Sequence, residues 1–467
     1  MVFSDLNFLA LFLPAFLLCY FISPSRYRNL ILLMFSVIFY AWGEPIFVLL
    51  MVFSTILDYS VGIGLDKNRD NPAIKKVFLV ISMVGNLGLL GLFKYSDFVI
   101  ANLNLLLGSR IPLPNLILPI GISFYTFQTM SYSIDVYWGN VPAQYNFINF
   151  STFVTMFPQL IAGPIVRYSD VHVELENRKE SISAFAQGVG YFVLGLCHKV
   201  LLANSVGSLW TEMKNLPILN LSFASSWLGI LAFTLQIYFD FGGYSLMAIG
   251  LGKMLGFNFP KNFDYPYSSF SVSEFWRRWH MTLGSWFREY VYIPLGGNRK
   301  GRVNTLRNLL IVWLLTGIWH GASWNFLLWG IYYGLLLILE RFVYGKVLEN
   351  TPKIIRLSYT LLAVIVGWVI FEAVDLTWGW QYLGIMFGAK GFNIDQLALY
   401  QFNSYGLVML LGVVFSSPLP EKIKNYLCLK QPKLAAWLTF ICIALGFWLV
   451  LAYIVDASYN PFLYFRF

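Results

Sequence analysis

Long apolar runs separated by short polar breaks repeat along almost the whole chain. Each run is long enough to cross about 30 Å of hydrocarbon as a helix. Helical spans are expected to begin near residues 6, 28, 46, 77, 116, 184, 223, 305, 323, 358, 403 and 434. The runs do not show the period-two alternation of a membrane β-barrel. No long polar domain interrupts them and no internal repeat is evident, so residues 1–467 read as a single integral-membrane domain.

Two runs are too polar or too broken for plain lipid-facing helices. "LPIGISFYTFQTMSYSIDVYWG" (118–139) carries Pro119, Gly121, Gln128 and Asp135, and "TMFPQLIAGPIVRY" (155–168) sets Pro158 and Pro164 around Gln159 and Gly163. Irregular backbone at membrane depth is tolerated where protein shields it or where it lines a wet cavity. These runs are expected to surround an internal chamber; ordinary proline-kinked packing is the alternative. The fold class is therefore all-α and polytopic, with about a dozen transmembrane and re-entrant helices around a central cavity.

Composition agrees with that picture, because 58% of residues are hydrophobic and only 12% are charged, too few charges to solvate a soluble chain of this length. The net charge of +9 sits between the apolar runs, where cytoplasmic loops carry it, so no nucleic-acid partner is inferred. Arg26 and Arg28 follow the first span, which places the N-terminus outside the cell and these arginines inside. That first run, without a basic leader or cleavage signal, reads as a span and not a removable signal peptide. Cys19, Cys197, Cys428 and Cys442 are scattered, without metal-ligand spacing, and read as packing thiols.

Four histidines carry the chemical interest. His172 falls in a polar loop and reads as solvated; His198, beside Lys199 near a span end, reads as snorkelling or headgroup-facing. His320 lies inside the apolar stretch "TGIWHGASWNF" (316–326). On a continuous helix Thr316, Ser323 and Trp324 would share its face, and Gly317 with Gly321 would admit a close neighbouring helix. A structural histidine bonded to a carbonyl fits these residues as well as a functional one does. His280 lies in "SVSEFWRRWHMTLGSWFREYVYIPLGGNRKGR" (271–302), where Ser271 and Glu274 have capping-box spacing and tryptophan mixes with arginine as at a membrane interface. Arg277, Arg278, Arg288, Arg299, Lys300, Arg302 and Arg307 mark this side as cytoplasmic and suit the phosphates of a nucleotide-bearing donor; anionic lipid explains them too. Folded back at the "PLGG" turn, two helical arms of similar length would bring His280 and His320 to similar depth. Asp240, within "LQIYFDFGGYSLMAIGLGKMLGF" (235–257), needs a partner such as a tyrosine hydroxyl, an arginine or water. Gln236 and Tyr244 share its helical face, and a scaffolding hydrogen-bond hub is the reading favoured over catalysis. Gln159, Gln236, Asp240 and Tyr244 are candidates for a polar cavity lining.

The motifs "FWRRWHMTLGSWFREYVYIPLGG" and "LLTGIWHGASWNFLLWGIYYG" resemble the membrane-bound O-acyltransferase (MBOAT) family, most nearly the membrane subunits that O-acetylate bacterial polysaccharides such as alginate and peptidoglycan. The two polar runs above, the Asp240 run and the terminal "YNPFLYFRF" are similar to that subfamily as well. Leu246, where relatives often carry aspartate, and "LCHKV" (196–200), where a basic pair is commoner, depart from its pattern. The resemblance implies a ring of tilted helices around a cavity, with His320 as the catalytic histidine and His280 as the second functional polar position. Arg277, Arg278, Arg288, Trp319, Ser323 and Asn325 are candidates for contact with donor or substrate.

The expected reaction moves acetyl from cytoplasmic acetyl-CoA, a substrate, to an extracytoplasmic acceptor, with no permanently bound cofactor and no metal. His320 is a candidate general base or a transient acyl carrier; His280 is a candidate to position the acceptor or to donate to the oxyanion. The subfamily implies an extracytoplasmic SGNH-type transferase partner, a polysaccharide acceptor and a location in the bacterial plasma membrane. A carrier-bound D-alanyl donor for teichoic acid, or a non-enzymatic transporter or flippase, are the rivals; the absent inverted repeats weigh against the last.

Overall fold

A computed structural model describes residues 1–161 and 163–456. The "YNPFLYFRF" motif lies outside the described residues. Among these the regular structure is entirely helical, and seven helices are long and apolar enough to cross a membrane: Val48–Lys67, Pro72–Leu107, Ile182–Asn215, Trp324–Glu349, Lys353–Glu372, Gln396–Phe415 and Pro432–Asp456. The expected all-α polytopic membrane architecture is the one observed. The remaining apolar runs form shorter or more polar helices, including Leu13–Ile22, Ile122–Trp138 and Arg302–His320. The chain divides into two compact units, Met1–Phe192 with Ser245–Pro260, and Val193–Tyr244 with Lys261–Phe467.

The first unit is organised by aromatic packing and one buried carboxylate. Phe8, Phe12, Phe16 and Phe39 each contact the ring of Phe157. Asp58 on Val48–Lys67 accepts from Ser82 Oγ at 2.5 Å, Asn86 Nδ2 at 2.6 Å and Ser133 Oγ at 2.6 Å, which pins three helices together. A buried carboxylate is tolerable only with such full satisfaction. Of the two runs singled out, the first is continuous helix beyond Gly121 and the second is broken. Gly121, at φ +77°, starts Ile122–Trp138, and its α-carbon faces the Leu160 carbonyl so closely that a β-carbon would lie 2.7 Å from it. The second run splits at Met156 into Phe147–Thr155 and Phe157–Leu160, where Gln159 donates to the Phe153 carbonyl at 2.7 Å. The segment 156–161 is buried, so here protein shields the irregular backbone. His172 is half-buried and not fully solvated: Nδ1 lies 3.2 Å from the Ser169 carbonyl and the ring packs beside Tyr168.

The second unit holds both motif histidines. Its core is unusually aromatic, with Trp279, Trp313, Trp329, Tyr333 and Trp368 all buried in one cluster. Helices Arg302–His320 and Trp324–Leu339 form a tight hairpin. Gly317 and Gly330 face each other so closely that a β-carbon on either would stand 2.4 Å from a carbonyl oxygen of the other helix. Gly317 thus plays the small-residue role expected of it, opposite Gly330, whereas its expected companion Gly321 lies past the helix end. Gly321 faces the Phe326 ring within the same hairpin. Three of the four cysteines, Cys19, Cys428 and Cys442, are exposed, so only Cys197, against Gly446, is a packing thiol.

Candidate functional site

The 271–302 segment is not one helix. Ser271 caps Val272–Arg278 by accepting from the Glu274 amide at 3.0 Å, as the capping-box spacing predicts. Glu274 does not reciprocate onto Ser271; it accepts from the Phe270 amide at 2.8 Å and pairs with Arg278 at 2.6 Å. The helix then stops at Trp279. His280 sits in the left-handed region, at φ +45° and ψ 53°, and Met281–Phe287 begins after it. A non-glycine residue there is strained, and such residues collect at functional sites. The expected helical arm through His280 is therefore replaced by a helix–kink–helix element with the histidine at the kink.

Asn262, from the loop preceding this element, holds the kink. Its backbone carbonyl accepts from Met281 N at 2.9 Å. Its side-chain oxygen accepts from Thr282 Oγ1 at 2.9 Å and Thr282 N at 3.3 Å, and lies 3.1 Å from His280 Nδ1. The Thr282 amide can only donate, which fixes that atom as oxygen and makes His280 Nδ1 the donor. The ring is enclosed by Phe241 at 4.7 Å and Phe263 at 6.5 Å between centroids, so desolvation favours its neutral form. Neutral with Nδ1 protonated, His280 presents a lone pair at Nε2. Asn262→Ala would leave three donors without this acceptor and is expected to lower activity about tenfold by releasing the ring. Asn262→Asp, which keeps the oxygen, is expected to retain most of it. Initial rates at matched membrane abundance check both.

His320 is the last residue of its helix. Gly321 continues in extended backbone and Ser323 starts the next helix, so Ser323 and Trp324 do not share the His320 face; Trp324 is exposed. The break is dictated by the hairpin, since the chain must reverse within Gly321–Ala322–Ser323. Thr316 remains on the same helix and is buried. The His320 imidazole is buried against Trp319, Trp329 and Phe371, with centroids at 4.9, 4.9 and 5.3 Å, each edge-to-face. Trp319 also contacts the His280 ring, at 6.0 Å. One indole therefore touches both imidazoles, and the two histidines belong to a single aromatic cluster.

The other candidates sort by place. Ser323 donates to Asn325, whose amide nitrogen donates to the carbonyls of Phe371 and Ala373 at 3.0 and 3.3 Å. Asn325 thereby clamps the end of Lys353–Glu372, whose Phe371 packs on His320. Arg277 and Arg288 are exposed, as are Arg299 and Lys300, while Arg278 is engaged by Glu274. Gln236 and Tyr244 are buried on the Phe223–Met254 helix, and Gln159 belongs to the other unit. Asp240 is paired with Lys199 at 2.6 Å, both buried. The partner of Asp240 is thus a lysine, turned inward from a π-helical stretch, His198–Ala203; the snorkelling reading of His198 is corrected by its ring, which packs edge-to-face on Phe239 at 5.0 Å. Removing one member of a buried ion pair strands a charge, typically at about 3–5 kcal/mol. Lys199→Met and Asp240→Asn are each expected to cut folded protein sharply, with the double variant partly restored, as read by size-exclusion chromatography. Asn262 and Phe371 carry no motif signal, since a polar loop and a core phenylalanine look ordinary in sequence; Lys199 lies in "LCHKV", but nothing local there points to Asp240.

Comparison with known proteins places this arrangement. The profile of MBOAT, the membrane-bound O-acyltransferase family, matches residues 139–373, half of the chain, including both motif histidines. The chain also aligns with probable alginate O-acetylase AlgI of Azotobacter vinelandii at 42% identity, over 88% of this chain and 83% of that protein. This chain belongs to the MBOAT family. Probable alginate O-acetylase AlgI of Pseudomonas putida aligns over the whole of both chains at 40% identity. Peptidoglycan O-acetyltransferase of Helicobacter pylori aligns at 32% over all of this chain and 98% of its own. The protein is thus a multi-pass membrane O-acyltransferase, and the sequence resemblance identified the right family.

Proposed function

We propose that this MBOAT enzyme transfers acetyl groups from cytoplasmic acetyl-CoA toward a cell-surface or exported polysaccharide, through an extracytoplasmic SGNH-type transferase partner. The observation that carries the reading is the pairing of His280 and His320 on one indole, Trp319, inside a buried aromatic cluster. The names of the full-length relatives, alginate O-acetylase and peptidoglycan O-acetyltransferase, support a polysaccharide as the final acceptor. In this reading the chain sits in the bacterial plasma membrane with its N-terminus outside, and the exposed Arg277, Arg288, Arg299 and Lys300 meet the donor's phosphates from the cytoplasm.

In the proposed reaction His320 takes the proton from the acceptor hydroxyl as its oxygen attacks the thioester carbonyl. The tetrahedral intermediate collapses with cleavage of the carbon–sulfur bond, and the proton returns to the departing thiolate. The products are an acetyl ester and free CoA. His280, with its lone pair at Nε2, accepts a hydrogen bond from a second donor on the acceptor and so orients it, leaving the single proton of the reacting hydroxyl to His320; of the two roles open from sequence, this is the one its tautomer suits.

The test uses the full chain in proteoliposomes with labelled acetyl-CoA outside and the SGNH-type partner enclosed, the orientation that puts the basic face toward the donor. Label appearing on the enclosed protein supports the reading. Label remaining wholly in acetyl-CoA, with D-alanyl transfer from a carrier protein instead, would replace it.

A further inference from the structure

Glu340 follows the Trp324–Leu339 helix, at the point where the span turns π-helical, and is almost fully buried. Its carboxylate does not face a cation: among the described residues no lysine, arginine or histidine pairs with it. Instead it reaches the start of the Val272–Arg278 helix, 67 and 68 residues away in sequence. One oxygen accepts from the Val272 amide at 2.6 Å and from Tyr359 Oη at 3.2 Å. The other accepts from the Ser273 amide at 2.8 Å and Ser273 Oγ at 2.6 Å. A buried carboxylate is costly, and these charge-assisted bonds to a helix N-terminus offset it by fixing a particular geometry. With Ser271 serving the Glu274 amide, all three first-turn amides of that helix are held by side chains.

We infer that Glu340 is a positioning residue that ties the His280 element to the His320 hairpin. The connectivity supports this directly. The Trp324–Leu339 helix follows His320 after three residues, is locked to the His320 helix through Gly317 and Gly330, and leads into Glu340, where the span turns π-helical. Glu340 grips the N-terminus of Val272–Arg278, whose other end delivers His280 two residues later. Along that short helix Trp276 wedges between Trp313 at 4.7 Å and Tyr333 at 4.8 Å, which carries the grip toward the kink. At the kink Asn262 sets the ring. One strut thus references both histidines, and its far end is a carboxylate whose hydrogen bonds tolerate little displacement.

The catalytic consequence rests on the histidine reading proposed above, so the test needs one readout that does not. Full-length protein carrying 15N-labelled histidine, in lipid nanodiscs, gives imidazole nitrogen shifts for only four residues, assignable with single histidine substitutions. Wild-type His280 is expected to show a single tautomer protonated at Nδ1. Glu340→Ala, and Glu340→Gln as the better-folding variant, are expected to give mixed tautomers at His280 with His172 unchanged. They are also expected to lower kcat by up to about a hundredfold while KM for the donor stays within about twofold. Glu340→Asp is expected to recover part of the loss. Unchanged His280 shifts in folded Glu340→Gln would overturn the inference whatever the activity. Altered shifts with full activity would leave the tie standing and remove the catalytic role of His280.

Discussion

Replacing His320 with alanine is expected to lower acyl transfer by about a hundredfold to ten-thousandfold, the range general-base catalysis supplies. The enzyme should remain in the membrane at normal abundance. The side chain is buried by Trp319, Trp329 and Phe371, so its removal leaves a cavity lined by large rings, which costs stability but strands no charge. The loss should fall on kcat, because a proton acceptor acts in the transition state and not in donor binding. The measurement is initial-rate transfer of labelled acetyl at saturating donor, normalised to folded protein. Transfer within about twofold of wild type would remove His320 from the chemistry and leave it a core histidine.

His320→Gln separates two forms of the mechanism. Glutamine keeps a hydrogen-bonding group at the same depth but cannot take a proton at neutral pH or carry an acyl group. A loss equal to that of alanine therefore marks proton transfer or acyl transfer as the role of the ring, whereas substantial activity marks positioning.

How far the site was readable before folding depended on whether its signal was local. Apolar period and run length carry the membrane class, and Gly317 points to a close helix pair, although the residue that faces it, Gly330, is outside the Gly317–Gly321 spacing. The two histidines stood out because polar, titratable groups are rare in apolar context. What failed was any inference that assumed a helix continues. The stretch Trp279–His280 carries no proline or glycine, so nothing local reveals the kink; it is imposed by Asn262, whose grip is a tertiary contact. Ser323 and Trp324 were placed on the His320 face by helical spacing, yet the hairpin reverses between them and His320. Lys199 likewise has the local context of a span end. Its inward turn depends on a π-helical register and on Asp240, 41 positions away, and neither is visible in a window of ten residues. Glu340 follows a leucine-rich run, and only the fold shows which amides it meets.

Gly317 is expected to be as sensitive as the histidine three residues beyond it. A β-carbon there would lie 2.4 Å from the Phe326 carbonyl oxygen and 3.3 Å from the Gly330 α-carbon, both backbone atoms that no rotamer change can move. The hairpin must open, and because Gly330 meets the Trp313 carbonyl with the same closeness, displacement at one point is felt at the other. Gly317→Ala is expected to destabilise by about 1–3 kcal/mol, the usual cost of overpacking a tight interior. Gly317→Leu is expected to abolish folded protein. The informative variant is alanine, assayed well below its melting temperature so that the folded fraction stays full. There the shift should move His320 relative to Trp329 and Phe371, and misplacement of about 1 Å in a catalytic group costs up to about a hundredfold in rate. Thermal unfolding and initial rate are to be measured on the same preparation. Lost stability with an unchanged rate would mean that His320 tolerates movement and is not a geometrically demanding catalyst. A wild-type melting temperature in Gly317→Ala would mean that the hairpin contact itself is looser than the two glycines require.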